Sequence, residues 1–94
     1  MKKRLEAKVT GRVQMVMYRD FTNRSAQKLG VTGYVMNEGD GSVSVMAEGE
    51  ESVLNEFLKL LQSGSLLSHV EEVLPIWGEP RDEYSDFRIQ YDNK

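Results

Sequence analysis

The chain has 94 residues, a net charge of −3, 39% apolar and 29% charged residues, and no cysteine. This is the size and make-up of one ordinary globular domain, so residues 1–94 are expected to form a single unit. The acidic balance argues against a general nucleic-acid or anionic-membrane binder. Without thiols there are no disulfides, thiolate nucleophiles or cysteine-ligated metals.

The chain opens with Lys2, Lys3 and Arg4, but no apolar run of signal-peptide length follows. No stretch approaches the roughly 18 apolar residues of a membrane span, and the expected location is the cytoplasm. Leu5, Ala7 and Val9 alternate with Glu6, Lys8 and Thr10, which predicts a strand over residues 5–13 with one buried face. From Tyr18 to Leu29 the period changes. Phe21, Ala26 and Leu29 fall near helical spacing, Asp20 or Thr22 suits the first turn, and Gly30 suits the stop.

Residues 31–37, VTGYVMN, predict a second strand. The turn EGDG and the alternating run SVSVMA at 42–47 complete a β-hairpin. A second helix is expected over 51–62, where Val53, Leu54, Phe57, Leu58 and Leu61 form one apolar stripe and Ser63-Gly64-Ser65 ends it. Residues 70–77, VEEVLPIW, predict a strand that Pro75 assigns to an edge or a bulge. After a polar loop at 78–85, Phe87, Ile89 and Tyr91 alternate in a short final strand. The order β-α-β-β-α-β, plus that tail strand, predicts a two-layer α+β sandwich. Its antiparallel sheet would carry both helices on one face.

Few residues invite chemistry. His69 is the only histidine and stands at the start of a strand, a surface or capping position, so no Ser-His-Asp or metal-ligand set can be assembled. Glu48, Glu50, Glu51, Glu71 and Glu72 read as solvated surface. Trp77 and Tyr84 read as packing residues and Met17 as a soft filler. The segment Arg12 to Arg19 is the better candidate, because it joins a strand to a helix start. Backbone N–H groups there can cradle an anion, and an arginine adds a fork suited to phosphate oxygens. Asn37, before the glycine turn, carries an amide that can hold a water through donor and acceptor.

These residues resemble the acylphosphatase family, whose signature runs G-x-V-Q-G-V-x-F-R with a threonine three residues on. Gly11, Val13, Gln14, Val16, Tyr18, Arg19 and Thr22 match it or substitute conservatively. Leu29-Gly30, Gly33-Tyr34-Val35-Met36-Asn37, Asp40-Gly41-Ser42-Val43, Glu48-Gly49 and Tyr84-Ser85-Asp86-Phe87 follow in order at family spacing. The resemblance covers nearly the whole chain. It implies a ferredoxin-like fold and hydrolysis of the carboxyl-phosphate bond of small acyl phosphates to carboxylate and inorganic phosphate, without metal or cofactor. It further implies that Arg19 and the loop Gln14, Met15, Val16, Met17 and Tyr18 hold the phosphoryl group and that Asn37 positions the attacking water. A monomer without nucleic-acid or membrane partners is expected.

One departure stands out: Met15 occupies the family's loop glycine. If that position needs left-handed φ, methionine costs roughly 1–2 kcal/mol. If ordinary φ suffices, the side chain points away at little cost. The alternative function is therefore a catalytically weak or inactive phosphate- or anion-binding protein. An RNA-binding module on the same fold would stack bases on sheet aromatics. Against it stand the acidic chain and Val43, Val45 and Ala47 on the central strands. A detached relative of the acylphosphatase-like domains of larger maturation enzymes is a further reading, but a stand-alone protein fits the chain length better.

Overall fold

The computed structural model describes residues 1–91; the last three residues of the expected domain lie outside the described part. The elements run β1 (Lys2–Arg12), α1 (Tyr18–Leu29), β2 (Thr32–Asn37), β3 (Val43–Glu50), α2 (Glu51–Ser63), β4 (His69–Gly78) and β5 (Phe87–Gln90). The predicted order is borne out, and both helix starts fall where expected. The strands form one sheet in the order β4-β1-β3-β2-β5. β1, β3, β4 and β2 pair antiparallel, whereas β5 joins β2 in parallel. Among the described residues, no helix is long and apolar enough to cross a membrane.

The period-two pattern builds the core directly. Leu5, Ala7 and Val9 stand opposite Ala47, Val45 and Val43, and Val35 stands opposite Val45. All are buried on the face that the helices cover. Helix α1 adds Tyr18, Thr22 and Ala26 at a spacing of four, and α2 adds Leu54, Phe57 and Leu61. Phe57 meets Phe87 of β5 edge to face at 5.8 Å. The Tyr18 ring is sealed between the helices, its hydroxyl donating to the Leu61 carbonyl at 2.8 Å. Burial pushes the Tyr18 phenol above its ordinary pKa.

Gly30 ends α1 in the left-handed conformation, its N–H bonded to the Ala26 carbonyl at 2.8 Å. Pro75 does lie on an edge strand, and the β1–β4 register slips between Thr10 and Gly11. Gly11 has φ 122° there, and a Cβ would stand 2.1 Å from the His69 carbonyl oxygen. Only glycine allows β1 to leave the sheet at this bulge and deliver residues 13–17 to the start of α1.

Three expectations need correction. Val43, Val45 and Ala47 face the helices, so they are no part of an open sheet surface. Met17 fills nothing: it is exposed and caps α1 at φ 62°. Glu48 is not solvated surface but 3% exposed. The reason lies in strand order. β4 and β5 are opposite edges of the sheet, so the connection 79–86 must cross its second face. Glu48 tethers that crossing, accepting the Arg81 and Asp82 N–H groups at 2.7 and 3.0 Å and pairing with Arg4 at 3.3 Å. Tyr84 packs on Tyr34 in the same layer, as a packing residue should. Trp77 remains partly exposed on β4. Burial alone pushes the Glu48 carboxyl up, but the two N–H groups and the Arg4 guanidinium outweigh it and hold it below the ordinary range.

Candidate active site

The ends of β2 and β5 and the start of α1 converge at one edge of the sandwich. The parallel register pairs Met36 with Gln90, which sets Asn37, the last residue of β2, beside Tyr91, the first residue past β5. The start of α1 packs against these strand ends. A depression of about 340 Å³ is consequently lined by Arg19, Asn37, Glu38, Gly39, Gln90 and Tyr91. Arg19 and Asn37, distant in sequence, therefore share one site. The Arg19 guanidinium lies 5.2 Å above the Tyr91 ring, a cation–π contact that restrains its plane. Among the described residues, Arg19 forms no ion pair, while its neighbour Asp20 is engaged by Arg24 at 3.0 Å.

The loop between β1 and α1 answers the question about residue 15. Met15 has φ 60° and Met17 φ 62°, so the left-handed conformation is adopted and by methionine. The Met15 side chain is 96% exposed and stands at the rim of a depression shared with Arg19 and Tyr91. Left-handed Met15 and Met17 alternate with Val16 and Tyr18, the pattern that curls successive N–H groups into a concave nest. The first N–H groups of α1 adjoin it. Among the described residues, the N–H groups from Met15 to Asp20 donate to no protein acceptor. An anion placed there meets unengaged donors and the positive end of the helix.

Gln14 has a different task from its loop neighbours. Its side-chain Nε2 donates to the Glu38 carbonyl at 2.8 Å and to the Ser42 carbonyl at 2.9 Å. The amide latches the loop onto the β2–β3 turn that follows Asn37. That turn is itself braced: the Asp40 carboxylate accepts the Ser42 N–H and hydroxyl at 3.0 and 2.6 Å and pairs with Lys8. Those bonds hold the Asp40 carboxyl far below the usual range. Asn37 Oδ1 is buried and has no partner among the described residues, leaving an acceptor free beside Arg19. Val16 and Tyr18 anchor the loop, Val16 through its carbonyl to Ser65 Oγ at 3.2 Å and Tyr18 through its buried ring.

Residue-by-residue reasoning missed Tyr91, which read only as the last tooth of an alternating strand. The one sequence signal was its place at the strand's end, and without the parallel partner nothing tied it to Asn37. His69 is exposed as the first residue of β4, opposite Arg12, and does not line this depression. Among the described residues, no group of three histidines or carboxylates is placed to hold a metal ion.

The acylphosphatase family model matches residues 5–89. An acylphosphatase of Dehalococcoides mccartyi is 47% identical over 88 residues, covering 93% of this chain and 97% of that relative. One of Salinibacter ruber is 42% identical, covering 94% and 93%. Among solved structures, the acylphosphatase of Bacillus subtilis superposes with a TM-score of 0.91 at 32% identity, covering 95% of this chain and 99% of that one. The fold also lies within much longer proteins: full-length HypF matches with a TM-score of 0.83 at 27% identity, over 99% of this chain but 13% of that one. With a family match across most of the sequence and near-full-length relatives above 40% identity, this chain belongs to the acylphosphatase family.

Proposed function

We propose that the chain hydrolyses small acyl phosphates, with Arg19 and the N–H groups of the loop Gln14 to Tyr18 holding the phosphoryl oxygens and Asn37 positioning the water. The observation that carries this reading is the meeting of Arg19 and Asn37 in one depression beside a nest of unengaged N–H groups. The water oxygen attacks phosphorus, the bond from phosphorus to the acyl oxygen breaks, and the carboxylate leaves with the electron pair. A carboxylate with an acid pKa near 4–5 departs without help from a general acid. The water's proton passes to a phosphoryl oxygen, giving inorganic phosphate, so no histidine is required.

The protein's contribution is position and charge. Phosphoryl transfer spreads negative charge over the equatorial oxygens, and donors fixed before the reaction stabilise that charge without reorganising. Tyr91 beneath Arg19 and the Gln14 latch serve this fixation. The exposure of the Met15 side chain supports a working enzyme over an inert phosphate binder, since the side chain is not packed into the loop.

Turnover of benzoyl phosphate in EDTA tests the assignment. Arg19→Ala and Asn37→Ala should each lower kcat/KM by about 100-fold or more, the scale of losing one preorganised donor. Inorganic phosphate should inhibit the wild type competitively. Substantial turnover in both variants would overturn the site, and phosphate binding without turnover in the wild type would favour the inert binder.

A further inference from the structure

Exposed apolar residues fall mainly in two places: Leu74, Ile76 and Trp77 lie on β4, and a second group stands beside the site. Met15, Met17, Leu66 and Leu67 are 96, 65, 98 and 65% exposed. The last two sit on the turn after α2, which Ser65 and Ser68 close on themselves and which Ser65 Oγ ties to the Val16 carbonyl at 3.2 Å. The turn is thereby fastened to the phosphate loop. Two further depressions continue from the Arg19–Asn37 site. One shares Arg19 and Tyr91 with it and reaches Met15 and Met17. The next, about 170 Å³, shares Met17 and runs between Val16, Leu66, Leu67 and the stem of Arg24. The Arg24 guanidinium is turned to Asp20, so the groove floor is apolar and its one charge is answered.

We propose that this groove is the acyl-group subsite and that it selects acyl phosphates with apolar tails of several carbons over acetyl phosphate. The inference rests on the phosphoryl-transfer reading of Arg19 and Asn37. Displacement at phosphorus is in line, so the leaving carboxylate departs opposite the attacking water. With water held at Asn37 and phosphorus at Arg19 and the loop, the acyl group leaves on the side away from Asn37. The depressions are strung in that order: Asn37, then Arg19, then Met17, then Leu66 and Leu67. The groove is smaller than the roughly 300 Å³ of a drug-sized site, which suits a short tail. Met17 gives it a wall that adapts to different tails.

The test is a series of acetyl, butanoyl and hexanoyl phosphate, assayed for kcat/KM with the wild type and with the double variant Leu66→Ser/Leu67→Ser. Removing a methylene fully from water is worth up to about fourfold. A half-open groove should therefore give a wild-type gain of about tenfold from acetyl to hexanoyl phosphate. In the double variant that gain should fall to about twofold or less. Acetyl phosphate turnover and inhibition by inorganic phosphate should stay within about twofold, because neither Leu66 nor Leu67 lines the depression that holds Arg19 and Asn37. A flat wild-type series, or a gain that survives in the double variant, overturns the subsite while leaving the phosphatase reading intact. Failure to hydrolyse any member of the series overturns the phosphatase reading and the subsite with it.

Discussion

Met15→Gly isolates the backbone conformation of the loop between β1 and α1. Methionine holds φ 60° there, where Cβ meets the following carbonyl and costs about 1–2 kcal/mol. The side chain is almost wholly exposed, so truncation forfeits little apolar burial. Glycine removes the clash but widens the unfolded ensemble, which takes back about 0.4–1 kcal/mol. The balance is a gain of about 0.5–1 kcal/mol, equivalent to a rise in Tm of about 2–8 °C for a chain of this size. Met15→Ala is the control: it loses the same side chain but keeps Cβ, so its stability should stay within about 0.5 kcal/mol of the wild type. Thermal melts and urea titrations followed by circular dichroism measure all three proteins. A glycine variant no more stable than the alanine variant would refute the claim that residue 15 is strained in the left-handed region.

Two other perturbations address the scaffold of the site. Gln14→Ala cuts the latch between the loop and the β2–β3 turn, leaving the Glu38 and Ser42 carbonyls without that donor. Stability should fall by about 1–2 kcal/mol, and kcat/KM for benzoyl phosphate should fall about tenfold, checked by urea melts and steady-state kinetics. Glu48→Ala strands the Arg81 and Asp82 N–H groups and leaves Arg4 to Glu6 alone, and should cost about 3 kcal/mol. The Glu48 carboxyl is held below its ordinary value of 4.5 in the folded protein. Its stabilisation is therefore complete above about pH 4.5 and lost as pH falls through the lower folded value. Stability measured from pH 7 down to pH 3 should drop less steeply below pH 4.5 in Glu48→Gln than in the wild type.

The elements were legible because their signals are local. Alternation at Leu5, Ala7 and Val9 marks one buried sheet face, and the stripe through Leu54, Phe57 and Leu61 marks one helix face, whatever else the chain does. The candidate phosphate loop was legible through residues that match a family pattern in order, with Arg19 at a helix start and Asn37 before a turn. Glu48 misled because a carboxylate in a polar stretch reads as surface. Its burial depends on residues 79–86, which cross the sheet only because β4 and β5 occupy opposite edges.

The sequence by itself determined the order of strands and helices and the two helix stripes, since periodicity needs no partner, and its resemblance to a family pattern singled out Arg19 and Asn37 as candidates. Tertiary structure decided the rest. It set the left-handed turn at Met15, because φ answers to where both chain ends must go. It placed Tyr91 under Arg19, because only the parallel pairing of β5 with β2 brings them together. It drew Leu66 and Leu67 to the loop between β1 and α1 through a single serine hydroxyl, a contact between segments that no local pattern connects.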